Sequence, residues 1–225
     1  IKFGDKFAVF APEDFPTEEY YHDFVEMYLG CDCTPKNMNK PSENDYSTVY
    51  DMIGKHIFFI YPKELSPTPN YIKERFLEMM VKEKVTCLII DPFNQLTHDY
   101  GRQRTDLYLE TILGDFNRFA KSNSIPLIII AHPKLPDKNS EGNYKVPDAT
   151  DVSGGMMWMN KCDNIIVYHR PYSITNPSDN ICDIYTKKIK RQKSVGMIGQ
   201  LQCHYSRINR RFIFNNIDPI SNNSI

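Results

Sequence analysis

The stretch KVTCLIIDPFNQL, residues 84–96, drives an apolar run into Asp91 and then breaks it at Pro92. A continuous β-branched run is how a buried strand of a parallel sheet reads. In open α/β sheets, ligands gather beyond the carboxyl ends of such strands. Two other runs end on polar groups in the same way: FAVFAPED carries Glu13 just past its apolar part, and LIIIAHP carries His132. Brought to one sheet edge, these residues can share one chemistry. One carboxylate can hold a magnesium ion through water, a second can polarise an attacking water, and an imidazole can sense a product phosphate. Taken singly, acids and histidines at strand ends are more often caps or solvated groups; their joint occurrence in this order is the informative feature.

The elements that must position these groups follow from periodicity. Apolar runs at 7–11, 57–61, 87–91, 127–131 and 165–168 predict strands. Between them, three stripes at helical spacing predict helices: Tyr21, Phe24, Val25, Tyr28 and Leu29; Ile72, Phe76, Met79 and Met80; and Leu109, Ile112, Leu113, Phe116, Phe119 and Ala120. Pro16 and Thr17, followed by Glu18 and Glu19, mark a helix start with acids where the helix dipole favours them. Alternating strands and helices predict βαβ units and a mostly parallel sheet with right-handed crossovers. The C-terminal part differs, because residues 181–190 and 198–205 enclose RQKSVGMIG with its two glycines. An antiparallel hairpin appended to the sheet edge is expected there. Residues 133–155, rich in Lys, Asp, Asn, Gly and Pro, are the longest candidate for a mobile loop, and loops of that length are usually functional or disordered.

The chain has 225 residues, enough for one sizeable core, and its 41% hydrophobic and 24% charged fractions are those of an ordinary globular protein. One domain over residues 1–217 with a tail at 218–225 is expected. No apolar stretch approaches the roughly 18 residues that cross a bilayer, and nothing at the start resembles a signal peptide. A cytoplasmic protein, bacterial or phage-encoded, is the resulting expectation. The formal charge of −1 hides an asymmetry: residues 184–217 hold no Asp or Glu and eight cations, leaving 19 basic and 28 acidic residues elsewhere. A basic end on an acidic body suits an anionic partner, nucleic acid or phosphate. The six cysteines lack the spacing of a small stapled domain and read as reduced thiols; Cys31 and Cys33 have no second pair at zinc-site spacing and are assigned no metal.

The ordered set TCLIIDPFNQL, IPLIIIAHPKL, DVSGGMMWMNKCDNIIVYHR and KKIKRQKSVGMIGQLQCHYSRINRRF resembles the motor domain of DnaB-like hexameric replicative helicases. The phage primase-helicase and mitochondrial Twinkle type, which has AHP where DnaB has a glutamine, is the nearest pattern. The resemblance runs from about Phe7 onward. It implies a RecA-like P-loop NTPase core of α/β class, ATP or another NTP with Mg2+ as cofactors, single-stranded DNA as partner, and a homo-hexameric ring moving 5′ to 3′. Position by position, Asp91 matches the Walker B acid that supports the magnesium ion, and Glu13 in APED matches the catalytic glutamate. His132 matches the phosphate sensor, and Arg191 the arginine finger that reaches a neighbouring subunit's nucleotide. Lys188 and Lys190 are the nucleotide-binding candidates for the lysine that accompanies that finger, although Ile189, two residues before Arg191, departs from the family's lysine-x-arginine pattern. A solvated basic strand is the plain alternative for residues 187–193, although a planar guanidinium delivered from a hairpin suits a transferring phosphoryl group.

Residues 133–155 correspond to the family's central-channel loop, where Lys134, Lys138 and Lys145 can supply charge and Gly154 and Gly155 can let backbone N–H groups approach phosphates. A disordered polar loop is the competing reading. Trp158 can stack on a base but reads more readily as packed, and Asn160, Lys161 and Asp163 suit structural turns as well as DNA contact. The family's phosphate cradle, G-x-x-x-x-G-K-[ST], does not occur; the one Gly-Lys pair is Gly54–Lys55, followed by His56. The expectation is a fragment that begins downstream of that cradle, with poor nucleotide binding of its own and any primase region further upstream. A RecA- or RadA-like recombinase, or a non-catalytic DNA-binding or oligomerisation remnant, are the alternatives.

Overall fold

The computed structural model describes residues 4–14, 17–61 and 67–220. Two compact units are present, one of Ile1–Gln103 and Gly114–His132, the other of Arg104–Leu113 and Pro133–Asn222. The Pro16 part of the expected helix start lies outside the described residues, as do residues 221–225 of the tail.

The first unit is built on four parallel strands: β1 (Phe7–Phe10), β2 (Ile57–Phe59), β3 (Cys87–Ile90) and β4 (Leu127–Ile129), in the order β2-β1-β3-β4. Their central pair holds the most buried groups, with Ala8, Phe10, Leu88 and Ile90 wholly inaccessible. The β-branched run of β3 therefore lies where its composition places it. β4 is as apolar but stands at the end of the strand order, and Ile128 is 48% exposed.

The helices of this unit are α1 (Thr17–Leu29), α2 (Glu43–Gly54) and α3 (Pro69–Lys82); α4 (Thr105–Ser122) belongs to the second unit as far as Leu113 and to the first from Gly114. The three predicted stripes fall on α1, α3 and α4, and bury Val25, Ile72, Phe76, Leu109, Leu113 and Phe116. Sequence periodicity did not point to α2, because its fully inward positions, Val49 and Ile53, are only two. Its start is nevertheless a well-formed cap: the Ser42 hydroxyl accepts from the Asp45 N–H. Val49 and Ile53 join Val9, Ala11, Val25 and Ile57 in one cluster under the aromatic residues of α1. α3 opens on Thr68, whose hydroxyl accepts from the Tyr71 N–H, with Pro69 where a missing N–H costs nothing.

The second unit contains α5 (Gly155–Lys161), β5 (Asn164–His169), β6 (Ile181–Ile189), the short α6 (Gln192–Val195), β7 (Gly199–Ser206) and β8 (Arg211–Ile213). The strands form an antiparallel sheet in the order β5-β6-β7-β8. The expected hairpin is the β6–β7 pair. It is the centre of a four-stranded sheet rather than an appendage to the parallel one, since β5, expected among the parallel strands, pairs antiparallel with β6. The alternating exposure along Asn164–His169 is that of a strand with one covered face. β8 is too short to register as a run and is fixed instead by Arg211, buried and ion-paired with Asp218 at 2.6 Å. All six cysteines are free thiols.

Candidate active site

Parallel register sets the first group of residues. The Asp91 N–H donates to the Phe10 carbonyl at 2.8 Å and the Ile130 N–H to the Ile90 carbonyl at 2.9 Å, so the chain ends of β1, β3 and β4 stay level. Past Asp91 a cis bond to Pro92 leads into a single 3-10 turn, Phe93–Gln95. The Phe93 N–H donates to the Ile130 carbonyl at 2.8 Å, tying that turn to the end of β4. The turn brings Gln95 back, and its amide donates to Glu13 Oε1 at 2.6 Å. One acid of the APED segment is thereby oriented by a residue of the segment that carries the other.

The electrostatics link Asp91 to Glu13 and to His132. Burial pushes the Asp91 carboxyl above its ordinary value; the imidazole of His132 opposes the shift and the Glu13 carboxylate adds to it. Asp14 is raised too, by burial first and then by Asp91, Glu13 and Asp23. Tyr20 is pushed up to about 12 by burial and by the charges of Asp14, Asp91 and Asp23. A patch of crowded carboxylates, partly removed from water, disfavours its own ionisation and so favours a cation. Among the described residues no group of three or more His, Cys, Asp or Glu side chains forms a metal cage. Asp14, Tyr20 and Gln95 went unnoticed in the sequence, although Asp14 sits beside Glu13 and Gln95 lies in the same stretch as Asp91.

In the second unit Arg191 follows β6 and caps α6 at the exposed tip of the hairpin. The two lysines beside it behave differently. Lys188 Nζ donates to the Met159 carbonyl at 2.5 Å, and Lys190 Nζ pairs with Asp163 at 2.8 Å. Both are occupied with the end of α5 and the turn after it, which gives Asp163 a structural role; Lys161 likewise pairs with Glu110 at 2.9 Å. Arg191 is the cation of this group that projects from the tip.

Residues 133–155 are more ordered than a polar loop. Bridges join Pro133 to Val152 and Lys138 to Tyr144, and Asp148 and Asp151 form a reciprocal cap on the 3-10 turn Ala149–Asp151. Lys187 of β6 reaches Asp148 at 3.4 Å. Lys134, Lys138 and Lys145 are all exposed. Gly154 and Gly155 have packing reasons of their own. Gly154 has φ +76°, and a Cβ there would lie 2.1 Å from Leu109 Cδ1; a Cβ on Gly155 would lie 2.5 Å from the Thr150 carbonyl oxygen. Trp158 is buried, its indole N–H donating to the Ser153 carbonyl at 3.0 Å, so it is packed.

A concavity of about 370 Å³ lies in the antiparallel unit, walled by Tyr168, Arg170, Asp179, Asn180, Tyr205 and Arg207. Arg170 holds the Pro177 and Asp179 carbonyls at 3.0 and 3.1 Å, and Arg207 holds the Asn180 side chain at 2.8 Å and the Pro177 carbonyl at 2.7 Å. Sequence reading passed over it; its signal was the placement of Arg207 and Arg210 in the acid-free stretch 184–217.

With this geometry in place, comparison with known proteins gives a consistent result. The fold is that of a RecA-like domain. Superposition on a separately solved ATPase domain gives a TM-score of 0.72 at 14% identity, covering 95% of this chain and 75% of that one. A DnaB-like replicative helicase, solved for its interactions with primase, gives 0.73 at 14% identity, covering 94% of this chain and 52% of that one. The RadB recombinase matches less well, with a TM-score of 0.51 at 13% identity over 91% of this chain and 77% of that one. In sequence, the chain is 30% identical over 142 residues to the Twinkle homolog protein, chloroplastic/mitochondrial, of Arabidopsis thaliana. That match covers 63% of this chain and 20% of the plant protein, so the chain spans about a fifth of that relative's length. No family model matches. The DnaB-like and Twinkle-type resemblance read from the ordered motifs is borne out in fold and in sequence. Among the described residues no helix is long and apolar enough to cross a membrane.

Proposed function

We propose that this chain is the nucleotide-hydrolysing motor part of a replicative DNA helicase, which works at subunit interfaces of a homo-hexameric ring to move 5′ to 3′ along single-stranded DNA. The observation that carries the reading is the meeting of Glu13, Asp91 and His132 at one sheet edge, with Arg191 displayed on an exposed hairpin tip. Asp91 is the residue to hold Mg2+ beside NTP phosphates; when bound, the ion neutralises charge on the phosphoryl group. Glu13, aimed by Gln95, takes the proton of the attacking water. His132 stands beside Asp91 to hydrogen-bond the departing phosphate. Arg191 supplies a guanidinium to the nucleotide of the next subunit, where charge accumulates during transfer. Lys188 and Lys190 hold the base of that hairpin rigid, and either can lend positive charge to the nucleotide only by giving up its present partner.

On the DNA side, Lys134, Lys138 and Lys145 offer three exposed ammonium groups to backbone phosphates, and the tight turn at Gly154 and Gly155 sets the end of that segment. The fold match also extends to a recombinase, but the lower TM-score there and the Twinkle homolog match favour the helicase. A fused primase and a bacterial or phage cytoplasm complete the proposal; the plant relative is named for organelles. The decisive test is Mg2+-dependent NTP hydrolysis by the full-length gene product with and without single-stranded DNA. Turnover that DNA stimulates and Asp91→Asn abolishes supports the reading. DNA binding with no turnover in the intact gene product overturns it in favour of a non-catalytic remnant.

A further inference from the structure

The lysine-bearing segment is joined through a buried side chain to the loop that supplies part of the arginine-lined concavity. Asn143 is 2% exposed, and its Oδ1 accepts from both the backbone N–H and the hydroxyl of Thr175, at 3.1 and 3.0 Å. Its own backbone is held in a closed turn. The Asn143 N–H donates to Asn139 Oδ1 at 3.0 Å, and its carbonyl accepts from the Asn139 N–H at 2.7 Å. The same turn is flanked by the Lys138–Tyr144 bridge and by the Lys145 N–H donating to the Asp137 carbonyl at 2.9 Å. Two of the three candidate phosphate-binding lysines thus stand on the turn that Asn143 anchors.

On the other side of the contact, Thr175 sits in a loop closed by the Asn176 N–H donating to the Tyr172 carbonyl at 2.8 Å. That loop runs from Arg170 to Asn180, and both of these line the concavity, as do Pro177 and Asp179. The guanidinium of Arg170 is fixed by the carbonyls of Pro177 and Asp179, so its position follows the loop. A buried amide is unfavourable unless its hydrogen bonds are made, and an apolar residue would fill the same space without that requirement. A pair of bonds spanning 32 residues is specific in a way that packing is not.

We propose that Asn143 is a positioning residue that couples single-stranded nucleic acid on the 137–145 turn to the shape of the Arg170–Asn180 concavity. Phosphates drawn to Lys138 and Lys145 displace or stiffen the turn; the two hydrogen bonds from Thr175 carry that change to the loop and so to Arg170. The inference rests on residues 133–155 being the DNA segment.

Its test is hydrogen exchange on the full-length protein with and without a thymidine 20-mer, alongside steady-state hydrolysis. In the wild type the oligonucleotide is expected to slow exchange in both 137–145 and 172–180. In Asn143→Ala it slows the first alone, and DNA stimulation of hydrolysis falls about fivefold or more while the DNA-free rate stays within about twofold. Thr175→Val, which spares the backbone bond, gives an intermediate loss, and Thr175→Ser restores the wild-type response. Equal protection of 172–180 in Asn143→Ala, or no protection of 172–180 in the wild type, overturns the coupling. Wild-type hydrolysis that DNA stimulates, combined with either of those results, leaves the motor reading standing. Absence of any wild-type hydrolysis rejects the motor reading, while the exchange pattern still decides the coupling.

Discussion

The two sheets place chemistry by different means. In the parallel sheet, hydrogen-bond register levels three strand ends, so residues far apart in sequence arrive together: Gln95 reaches Glu13 across 82 positions. In the antiparallel sheet the informative residue is carried outward on a hairpin tip, and its neighbours Lys188 and Lys190 are tied back to the α5 end. One sheet concentrates charges of like sign in a partly buried place; the other carries opposite charge, Arg191 with Lys193 beside it, out into solvent. A nucleotide held against the first and completed by the second from another subunit uses both, which is why hydrolysis is expected to need assembly.

The largest effect that can break this comparison belongs to the projected charge. Arg191→Ala is expected to lower hydrolysis by about 10³-fold or more, the range for a trans-acting arginine, with nucleotide affinity changed far less. A fall confined to KM in a steady-state assay would remove Arg191 from the reaction. Next comes the gathered edge: Glu13→Gln is expected to cost about 10²- to 10⁴-fold in kcat, as for loss of a general base, and Gln95→Ala a smaller part of that, since its amide orients Glu13 and takes no proton itself. If Gln95→Ala matches Glu13→Gln in a single-turnover assay, the glutamine is doing more than aiming.

Stability sharpens the contrast with a smaller effect of opposite sign. Asp91 and Asp14 have folded-state values raised above those of the unfolded chain. Their contribution to stability is full below the unfolded carboxylate range and is lost as pH rises through the raised folded values. At neutral pH the ionised cluster therefore strains the fold. Asp91→Asn is expected to raise Tm by a few degrees at pH 7 while abolishing turnover, a trade-off common at active sites, and the gap should close as pH falls toward 4. Added Mg2+ should raise the Tm of the wild type and not of Asp91→Asn in differential scanning fluorimetry. The smallest effect concerns DNA: changing Lys134, Lys138 or Lys145 singly to Gln is expected to reduce the slope of log affinity against log salt by about 0.7 each, as for single-strand phosphate contacts. An unchanged slope in fluorescence anisotropy titrations would take that lysine off the DNA.

Much of the parallel sheet could be read in advance because its physics is local: β1 and β3 are continuous apolar runs, and a candidate acid follows each, Glu13 three residues after β1 and Asp91 directly after β3. The stripes of α1, α3 and α4 were legible for the same reason. α2 escaped because a cap and two inward residues, Val49 and Ile53, make a weak pattern that only tertiary burial completes. β5 was recognised as a strand but not as β6's antiparallel partner, since pairing is a long-range property that composition does not encode. Asp14, Tyr20 and Gln95 emerged only once folding brought them beside Asp91 and Glu13. The paired glycines at 154 and 155 show the reverse: a motif read for phosphate approach also meets a steric demand from Leu109 and Thr150.

Division of labour between the two sheets is tested most directly by mixing subunits. Full-length Arg191→Ala protein, with intact acids, and full-length Glu13→Gln protein, with an intact finger, are each expected to be nearly inactive alone. Mixed over a range of ratios and assayed for hydrolysis, they should recover activity above either, because some interfaces then pair an intact Glu13 with an intact Arg191. No recovery at any ratio, under conditions where exchange of subunits is verified, would contradict a finger that acts across the interface.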